Sequence, residues 1–409
     1  MVVAAFVAPY LLEATSKFVL SAAAVPGVRL TLITTEPADR LPPALREAIV
    51  GHWQVANALD PDQIVDAVRG LSAQLGPIDR LIGALEQLQV PLAQARAALG
   101  IKGMSKRAAV NVGDKSQQKE ALTAAGVPCA RHQLVRHTAD ALAFRELVGY
   151  PMVAKSPDGA GVNATFRLDN DADFDSWLIA ARQGWDQVWL LEEFLTGREH
   201  SFDSVTLGGE TVWASISDYR PPPLEVSRTP WVQWTVLLPR DVSGPEYAGI
   251  RTIGPAALRA LDITDAFSHL EWFERPDGSV AISEVGGRPP SAQLAAMIGF
   301  SYDIDFHATW AEVVLKGTFE PPERKYASGT AHLRGMGHGQ VRAVHGIDRI
   351  QREFGHLIVE SRLPQPGQPA STSYEGEGFI TVRHPDTDVV QQALNTIISM
   401  VRVELVESQ

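Results

Sequence analysis

Two glutamates occupy neighbouring apolar segments and could share one cation. Glu271 lies within residues 269–273 and Glu284 within residues 282–285, and the turn at 276–278 between them predicts a β-hairpin. Carboxylates that meet across such a hairpin repel each other unless a cation lies between them, and their oxygens suit Mg²⁺ beside a nucleotide phosphate. The pattern predicts a metal site. The alternative is a pair of unrelated glutamates on a solvent-exposed face.

Basic side chains at two other positions suit an anionic ligand. Arg288 lies in a Gly-Gly-Arg-Pro-Pro run just after Glu284, and its planar guanidinium matches phosphate or carboxylate. Lys115 follows Asp114 at the start of a predicted helix, where the helix dipole disfavours a cation unless an anion is close by. Taken alone, Lys115 also fits an exposed surface lysine, which is the simpler interpretation.

A third basic residue ends an apolar strand and precedes a glycine-containing loop. Lys155 closes the strand at 151–155, and a lysine delivered to the interior needs an anionic partner. The loop carries Gly159, Ala160 and Gly161, whose backbone N–H groups could approach phosphate oxygens. The loop lacks the Gly-Lys-Ser/Thr ending of a Walker motif, and a flexible hairpin turn is the alternative interpretation.

An acidic pair interrupts an apolar strand in the next segment. Glu192, Glu193, Phe194 and Leu195 end this strand, and Glu199 follows shortly after. Such a run could stack a purine and accept a hydrogen bond from its amino group, with Glu199 placed for ribose hydroxyls. The alternative is a strand end with solvated carboxylates.

The elements that must position these residues follow from the apolar periodicity. Residues 1–112 alternate strands with helices, which predicts a parallel sheet covered on both faces. No Gly-x-Gly-x-x-Gly follows the first strand, so a dinucleotide site is not supported. Glu86 lies just past the third predicted strand, where it could face a site, but the preferred interpretation is a solvated loop residue. The remaining predicted elements are helices at 115–125, 172–183 and 388–401 and strands at 211–217 and 281–285.

Composition limits the classes of function. The chain has 409 residues, which at about 150 per domain predicts two to three domains. With 36 Lys plus Arg against 48 Asp plus Glu, its net charge of −12 disfavours nucleic acid as a partner. A single cysteine, Cys129, excludes a disulfide framework. The apolar start at 2–7 is too short to span a membrane and lacks the basic leader of a signal peptide, so we expect a cytoplasmic protein without a membrane partner.

In their order along the chain, from Lys115 to Arg288, the motifs resemble the ATP-grasp superfamily. Within it they are most similar to the carboxylate–amine ligases of the L-amino acid (dipeptide) ligase type. The resemblance implies an α/β protein whose ATP-grasp module is α+β. It divides the chain into an N-terminal α/β domain at 1–112, a small ATP-grasp subdomain with its linker helix at 113–205, a large subdomain with the metal and substrate site at 206–325, and a small β-rich C-terminal subdomain at 326–409.

The resemblance also implies a role for each motif. Lys115 and Lys155 match the nucleotide lysines, and the loop at 158–162 matches the mobile loop that covers the phosphates. Residues 192–195 match the adenine hinge. Further roles are implied for Glu199 with ribose, for Glu271 and Glu284 as metal ligands, and for Arg288 as the contact to the transferred phosphate and the substrate. Glu284 and Arg288 are therefore the predicted catalytic residues.

The implied reaction joins a carboxylate to an amine through an acyl phosphate, with release of ADP and phosphate. ATP is the implied nucleotide, with two Mg²⁺ ions that Mn²⁺ can replace. The resemblance implies small-molecule carboxylate and amine substrates, with amino acids expected. It also allows a homodimer. Many members have Asn where this chain has Gly286, which leaves the third metal ligand open. The alternatives are an ATP-grasp enzyme with bicarbonate or a purine precursor as acceptor and a non-catalytic nucleotide-binding module.

Two questions stay open in the sequence. The general base is not identified, because His269 and His307 each fit a core histidine with a local partner. The segment 217–234 contains Tyr219, three consecutive prolines, Trp231 and Trp234. It is interpreted either as the segment that selects the substrate or as an ordinary packed loop.

Overall fold

The computed structural model describes residues 1–157, 165–182, 188–229, 231–290 and 293–407. The strands are β1 (Val2–Ala8), β2 (Val28–Thr34), β3 (Gly51–Gln54), β4 (Arg80–Ile82), β5 (His132–Val135), β6 (Met152–Lys155), β7 (Thr165–Leu168), β8 (Trp189–Glu193), β9 (Arg198–Leu207), β10 (Glu210–Arg220), β11 (Trp234–Leu238), β12 (Ala266–Glu274), β13 (Val280–Gly286), β14 (Ala327–Leu333), β15 (Gly335–Met336), β16 (Gln340–His345), β17 (Ile358–Arg362), β18 (Gly378–His384) and β19 (Arg402–Val406). The helices are α1 (Glu13–Ala24), α2 (Pro43–Ala48), α3 (Pro61–Leu75), α4 (Gln89–Leu99), α5 (Lys106–Gly113), α6 (Lys115–Ala124), α7 (Thr138–Val148), α8 (Asp171–Arg182), α9 (Pro223–Arg228), α10 (Ala248–Ala260), α11 (Leu294–Tyr302), α12 (Phe306–Lys316), α13 (Ile347–Phe354) and α14 (Thr387–Met400). Within these ranges, none of the helices has the length and apolar character needed to cross a bilayer.

The N-terminal sheet is parallel, as predicted, with the strand order β3-β2-β1-β4. Helices pack on both of its faces, so β1 and β2 are apolar along nearly their whole length. Strand β3 was absent from the prediction because it is short and its sequence, Gly-His-Trp-Gln, has few apolar residues.

The central sheet is antiparallel and runs β13-β12-β9-β10-β11-β14-β18-β17. Strands β12 and β13 form the predicted hairpin. The predicted boundary at 205/206 lies inside β9, and strands from both sides of the predicted boundary at 325/326 pair through β11 and β14. The central sheet therefore carries residues from three of the predicted segments into one surface.

Two smaller sheets complete the mixed α/β fold, which confirms the predicted fold class. The lid sheet, β5-β8-β6-β7, is antiparallel and packs its own apolar cluster against α7 and α8. The C-terminal sheet has the order β15-β19-β16. The lid sheet faces the central sheet across a deep cavity, and the ends of both sheets present side chains to it.

Candidate active site

A cavity of about 690 Å³, here called the large cavity, lies between the lid sheet and the central sheet. Every predicted site residue in the described ranges lines it: Lys115, Lys155, Glu192, Glu193, Phe194, Leu195, Glu199, Glu271, Glu284 and Arg288. Gly159, Ala160 and Gly161 lie outside the described residues. The structure therefore brings together side chains from α6, the lid sheet, the central sheet and the segment after β13.

Glu271 and Glu284 lie directly opposite each other in the β12–β13 register, as predicted. The Nζ atom of Lys115 is 2.9 Å from Oε1 of Glu284. Burial by itself raises the pKa of Glu284, but the ammonium groups of Lys115 and Lys155 outweigh it and lower that pKa to about 2. Glu284 is therefore ionised at neutral pH, and the pair presents hard oxygen donors that suit Mg²⁺.

Among the described residues, no third His, Cys, Asp or Glu side chain joins this pair as a metal ligand. Across the described part of the chain, no three His, Cys, Asp or Glu side chains form a group that could hold a metal ion. A Cβ atom placed on Gly286 would lie 2.9 Å from Oε2 of Glu86. The space where the resemblance places an Asn side chain is thus partly taken by a carboxylate from the N-terminal region.

The lysine that ends β6 pairs with Glu192, the glutamate that the resemblance assigns to the adenine hinge. Nζ of Lys155 is 3.0 Å from Oε2 of Glu192, and both side chains are buried. Burial alone would lower the pKa of Lys155, but the Glu192 carboxylate raises it. Both groups are consequently charged, and the Glu192 carboxylate is engaged by a lysine within the protein.

Lys119 is a further member of this cluster that the sequence analysis missed. Its side chain is fully buried, donates hydrogen bonds to the carbonyl oxygens of Ile282 (3.2 Å) and Ser283 (2.5 Å), and lies 3.8 Å from Oε1 of Glu192. Burial lowers its pKa, and Glu192 partly opposes this effect. Its spacing of four residues from Lys115 puts both lysines on one face of α6, which was the available signal.

Arginine side chains contact two further residues of the predicted hinge, Glu193 and Phe194. The Glu193 carboxylate accepts a bond from Nε of Arg131 at 2.6 Å and from Nη2 of Arg275 at 3.0 Å. The Arg167 guanidinium lies 4.1 Å above the centre of the Phe194 ring. Arg167 and Phe194 both line the large cavity, so this end offers planar surfaces to a ligand.

A buried histidine and two glutamates lie on the same wall. Nδ1 of His269 is 2.7 Å from Oδ1 of Asp203, the local partner expected of a core histidine, and its Nε2 is 3.6 Å from Oε1 of Glu271. Burial alone lowers the pKa of His269, but Asp203 and Glu271 raise it to about 9. Burial and the nearby Glu271 carboxylate raise the pKa of Glu199 well above its usual value. The Asp203 and Glu271 carboxylates thus favour the protonated form of His269.

Arg288 is oriented by Glu86, which corrects the interpretation of Glu86 as a solvated loop residue. Nε of Arg288 is 2.5 Å from Oε2 of Glu86, and Nη1 donates to the carbonyl oxygen of Pro289 at 3.0 Å. Glu86 begins a short 3₁₀ helix after β4, more than two hundred positions earlier in the chain, so no local pattern indicates the contact.

Aromatic rings form another part of the lining of the large cavity, here called the aromatic end. Trp234 stacks on His332 with ring centroids 4.2 Å apart, and its Nε1 donates to the carbonyl oxygen of Tyr374 at 3.0 Å. Tyr219 and Tyr374 line the same end. Burial lowers the pKa of His332 to about 3, so its ring is neutral. From the segment 217–234, Tyr219 and Trp234 reach the cavity. His332 and Tyr374 also line it, and no sequence pattern indicated them.

Comparison with known proteins gives both a sequence relative and fold neighbours. No known family profile matches the chain. An L-arginine-specific L-amino acid ligase of Bacillus subtilis is 25% identical over 270 residues, covering 63% of each chain. The alignment therefore spans less than two thirds of that relative's own length.

Two solved structures share the fold over nearly the whole chain. An L-amino acid ligase from Bacillus licheniformis superposes with a TM-score of 0.76 at 16% identity, covering 100% of this chain and 99% of that one. The biotin carboxylase domain dimer of 2-oxoglutarate carboxylase from Hydrogenobacter thermophilus, in complex with MgADP, ADP and bicarbonate, gives 0.67 at 14% identity, covering 98% and 90%.

Proposed function

We propose that this chain, a member of the ATP-grasp superfamily, is an ADP-forming carboxylate–amine ligase that joins amino acids through an acyl phosphate. The observation that carries the proposal is the convergence of two lysines, two opposed glutamates and one arginine on a single cavity. The relative of Bacillus subtilis and the neighbour of Bacillus licheniformis, both named as L-amino acid ligases, support the choice of amino acids.

The cavity residues divide the work of phosphoryl transfer, which depends on positioning and charge neutralisation. Lys115 and Lys155 would exchange their carboxylate partners for phosphate oxygens of ATP. Glu271 and Glu284 would hold Mg²⁺, which when bound neutralises phosphate charge. We expect two ions per chain with nucleotide present, a number that equilibrium dialysis measures.

The proposed chemistry has two steps. A substrate carboxylate oxygen attacks the γ-phosphorus of ATP, ADP leaves, and an acyl phosphate forms. The amine of the second substrate then attacks the carbonyl carbon, inorganic phosphate leaves, and the amine loses a proton. Arg288 would stabilise the negative charge that develops on the phosphate and on the carbonyl oxygen, and protonated His269 would keep the Glu271 carboxylate in place.

The test is phosphate release from Mg-ATP with single and paired L-amino acids, with mass detection of products. We expect phosphate release that depends on a pair of amino acids, with a product whose mass equals their sum less one water. The variant Glu284→Gln should lose this activity while circular dichroism shows that it keeps its fold. Retained ligation in that variant would contradict the metal assignment, and an absence of pair-dependent product would contradict the amino-acid proposal.

Bicarbonate is the second candidate for an acceptor, because the neighbour from Hydrogenobacter thermophilus is described with bicarbonate bound. Bicarbonate-dependent phosphate release without amino acids would favour this alternative.

A further inference from the structure

A second cavity lies where the N-terminal region meets the central sheet, and its charge is unbalanced. Its volume is about 250 Å³, and one wall consists of residues 80–83, Arg96 and residues 102–104. The opposite wall includes Asp265, Phe267 and Trp310. Cations on the first wall are Arg80, Arg96 and Lys102, whereas Asp265 is the acidic residue among those that line the cavity.

Two contacts hold the Arg96 side chain in place. Its Nε donates to the carbonyl oxygen of Leu81 at 2.8 Å. A Cβ atom on Gly103 would lie 2.8 Å from Cδ of Arg96 and 2.9 Å from its Nε, so the guanidinium lies directly against the Gly103 backbone. Gly103 has a φ of +154° and leaves the space that this close approach requires.

Among the described residues, the charge of Arg96 has no counter-ion. Burial lowers the pKa of Arg96 to about 10, with no contribution from any carboxylate. Across the described residues, no ion pair involves Arg80, Arg96 or Lys102, and the Asp265 carboxylate accepts a bond from the Gly208 N–H. A partly buried cation without a partner is costly, and a bound anion would offset that cost.

The remaining wall is apolar. Phe267 and Trp310 are almost fully buried behind it, and Ile82 lines the cavity from β4. The volume is below the range of about 300–1,000 Å³ that is usual for drug-sized ligands. A compact molecule with an anionic group at one end and an apolar body at the other matches both walls.

We propose that the second cavity binds a small organic anion, with its carboxylate or phosphate against Arg96 and Lys102 and its apolar body against Phe267 and Trp310. Arg288 lines both cavities, so the bound anion would lie next to the arginine of the candidate active site. This binding does not depend on the proposed ligase activity.

The test is isothermal titration calorimetry in a phosphate-free buffer, with phenyl phosphate, phenylacetate and inorganic phosphate as probes. We expect at least one aromatic probe to bind, and the comparison of the two identifies the preferred anionic group. Inorganic phosphate should bind more weakly, because it has no apolar body. Failure of both aromatic probes to bind at millimolar concentration would overturn the proposal.

Variants locate the bound probe. Arg96→Met should weaken binding at least about tenfold, since a hydrogen bond to a charged group is lost, and Lys102→Met about threefold, because that lysine is exposed. Arg69→Met, an exposed arginine on α3, is the matched control and should bind like the parent chain. Lys155→Met should also bind normally, because Lys155 belongs to the large cavity.

Two outcomes would contradict this location. Loss of binding in Lys155→Met with retention in Arg96→Met would place the probe in the large cavity. If circular dichroism shows that Arg96→Met does not fold, the double variant Arg80→Met/Lys102→Met replaces it, since both side chains lie outside the core. Unchanged affinity in that double variant would overturn the proposal.

Discussion

Two parts of the lining of the large cavity, here called the charged end and the aromatic end, are built from different kinds of contact. At the charged end, Lys155 pairs with Glu192 at 3.0 Å and Lys115 with Glu284 at 2.9 Å. At the aromatic end, the rings of Tyr219, Trp234, His332 and Tyr374 pack together, and burial keeps His332 neutral.

This difference determines what a single substitution does at each end. Removing one member of a buried ion pair leaves the charge of its partner buried without compensation. This loss of stability is far larger than the net stabilisation that the intact pair provides. Ring packing spreads its energy over many small contacts. Substitutions at the charged end should therefore act mainly on stability and nucleotide binding, and substitutions at the aromatic end mainly on substrate fit.

The largest effect is expected at Glu192. Glu192→Gln should lower the free energy of unfolding by about 3–5 kcal/mol, because it leaves Lys119 and Lys155 buried without a carboxylate. Glu193→Gln is the matched control and should cost no more than about 1 kcal/mol, since its partners Arg131 and Arg275 both stay in contact with solvent. Urea denaturation measures both values. Equal losses of unfolding free energy in the two variants would contradict the prediction that the buried ion pair is the more costly one to break.

The second effect is a pH dependence from His269. Its pKa is raised from the ordinary 6.5 to about 9, so the stabilisation is fully present below pH 6.5 and is lost as the pH rises through 9. The loss amounts to about 3 kcal/mol at most, from 1.36 kcal/mol per pKa unit. His269→Gln should remove this part of the pH profile of unfolding, whereas His345→Gln, at an exposed position, should leave it unchanged. A parent profile that is flat from pH 6.5 to 9 would contradict the prediction.

A smaller effect is expected at Gly286. Gly286→Ala puts a methyl group 2.9 Å from Oε2 of Glu86, which should cost about 1–3 kcal/mol as overpacking. In a Glu86→Ala background the same substitution should cost less than half as much. Thermal and urea unfolding of the double-mutant cycle measures this coupling, and additive losses would show that the two residues do not compete for space.

The smallest effect is expected at the aromatic end. Tyr374→Ala should raise the KM of the amino-acid substrate about tenfold, the value of one aromatic contact, and leave the KM of ATP unchanged. Lys155→Met should raise the KM of ATP and leave the KM of the amino-acid substrate unchanged. Steady-state kinetics with each substrate varied in turn separates the two. A change in the KM of ATP in Tyr374→Ala would mean that the two ends do not act separately.

Local patterns located much of the charged end. The apolar strand β6 singles out Lys155, and the hairpin that joins β12 and β13 singles out the glutamate pair. The start of α6 singles out Lys115, but that pattern alone favours a surface lysine, and only the family resemblance gives it a nucleotide role. Each of these positions depends on neighbours within a few residues along the chain. The observed helix begins at Lys115 and its Asp114 cap accepts bonds from two backbone N–H groups, as a pattern of this kind predicts.

Other contacts were invisible to such patterns. The Arg288–Glu86 pair joins the two ends of a long stretch of chain, and the stacked pair Trp234–His332 depends on the pairing of β11 with β14. Glu86 has the same local sequence whether it is solvated or paired. Its role follows from where the N-terminal sheet packs.

The sequence by itself determined the α/β class, the parallel N-terminal sheet and the identity of the charged groups, because apolar periodicity and short motifs act over a few neighbouring residues. The tertiary structure alone decided which charges pair, that Glu86 takes the space beside Gly286, and that rings from segments far apart close the aromatic end. Those outcomes depend on the packing of sheets against one another, and packing is set by contacts between residues that are distant in the chain.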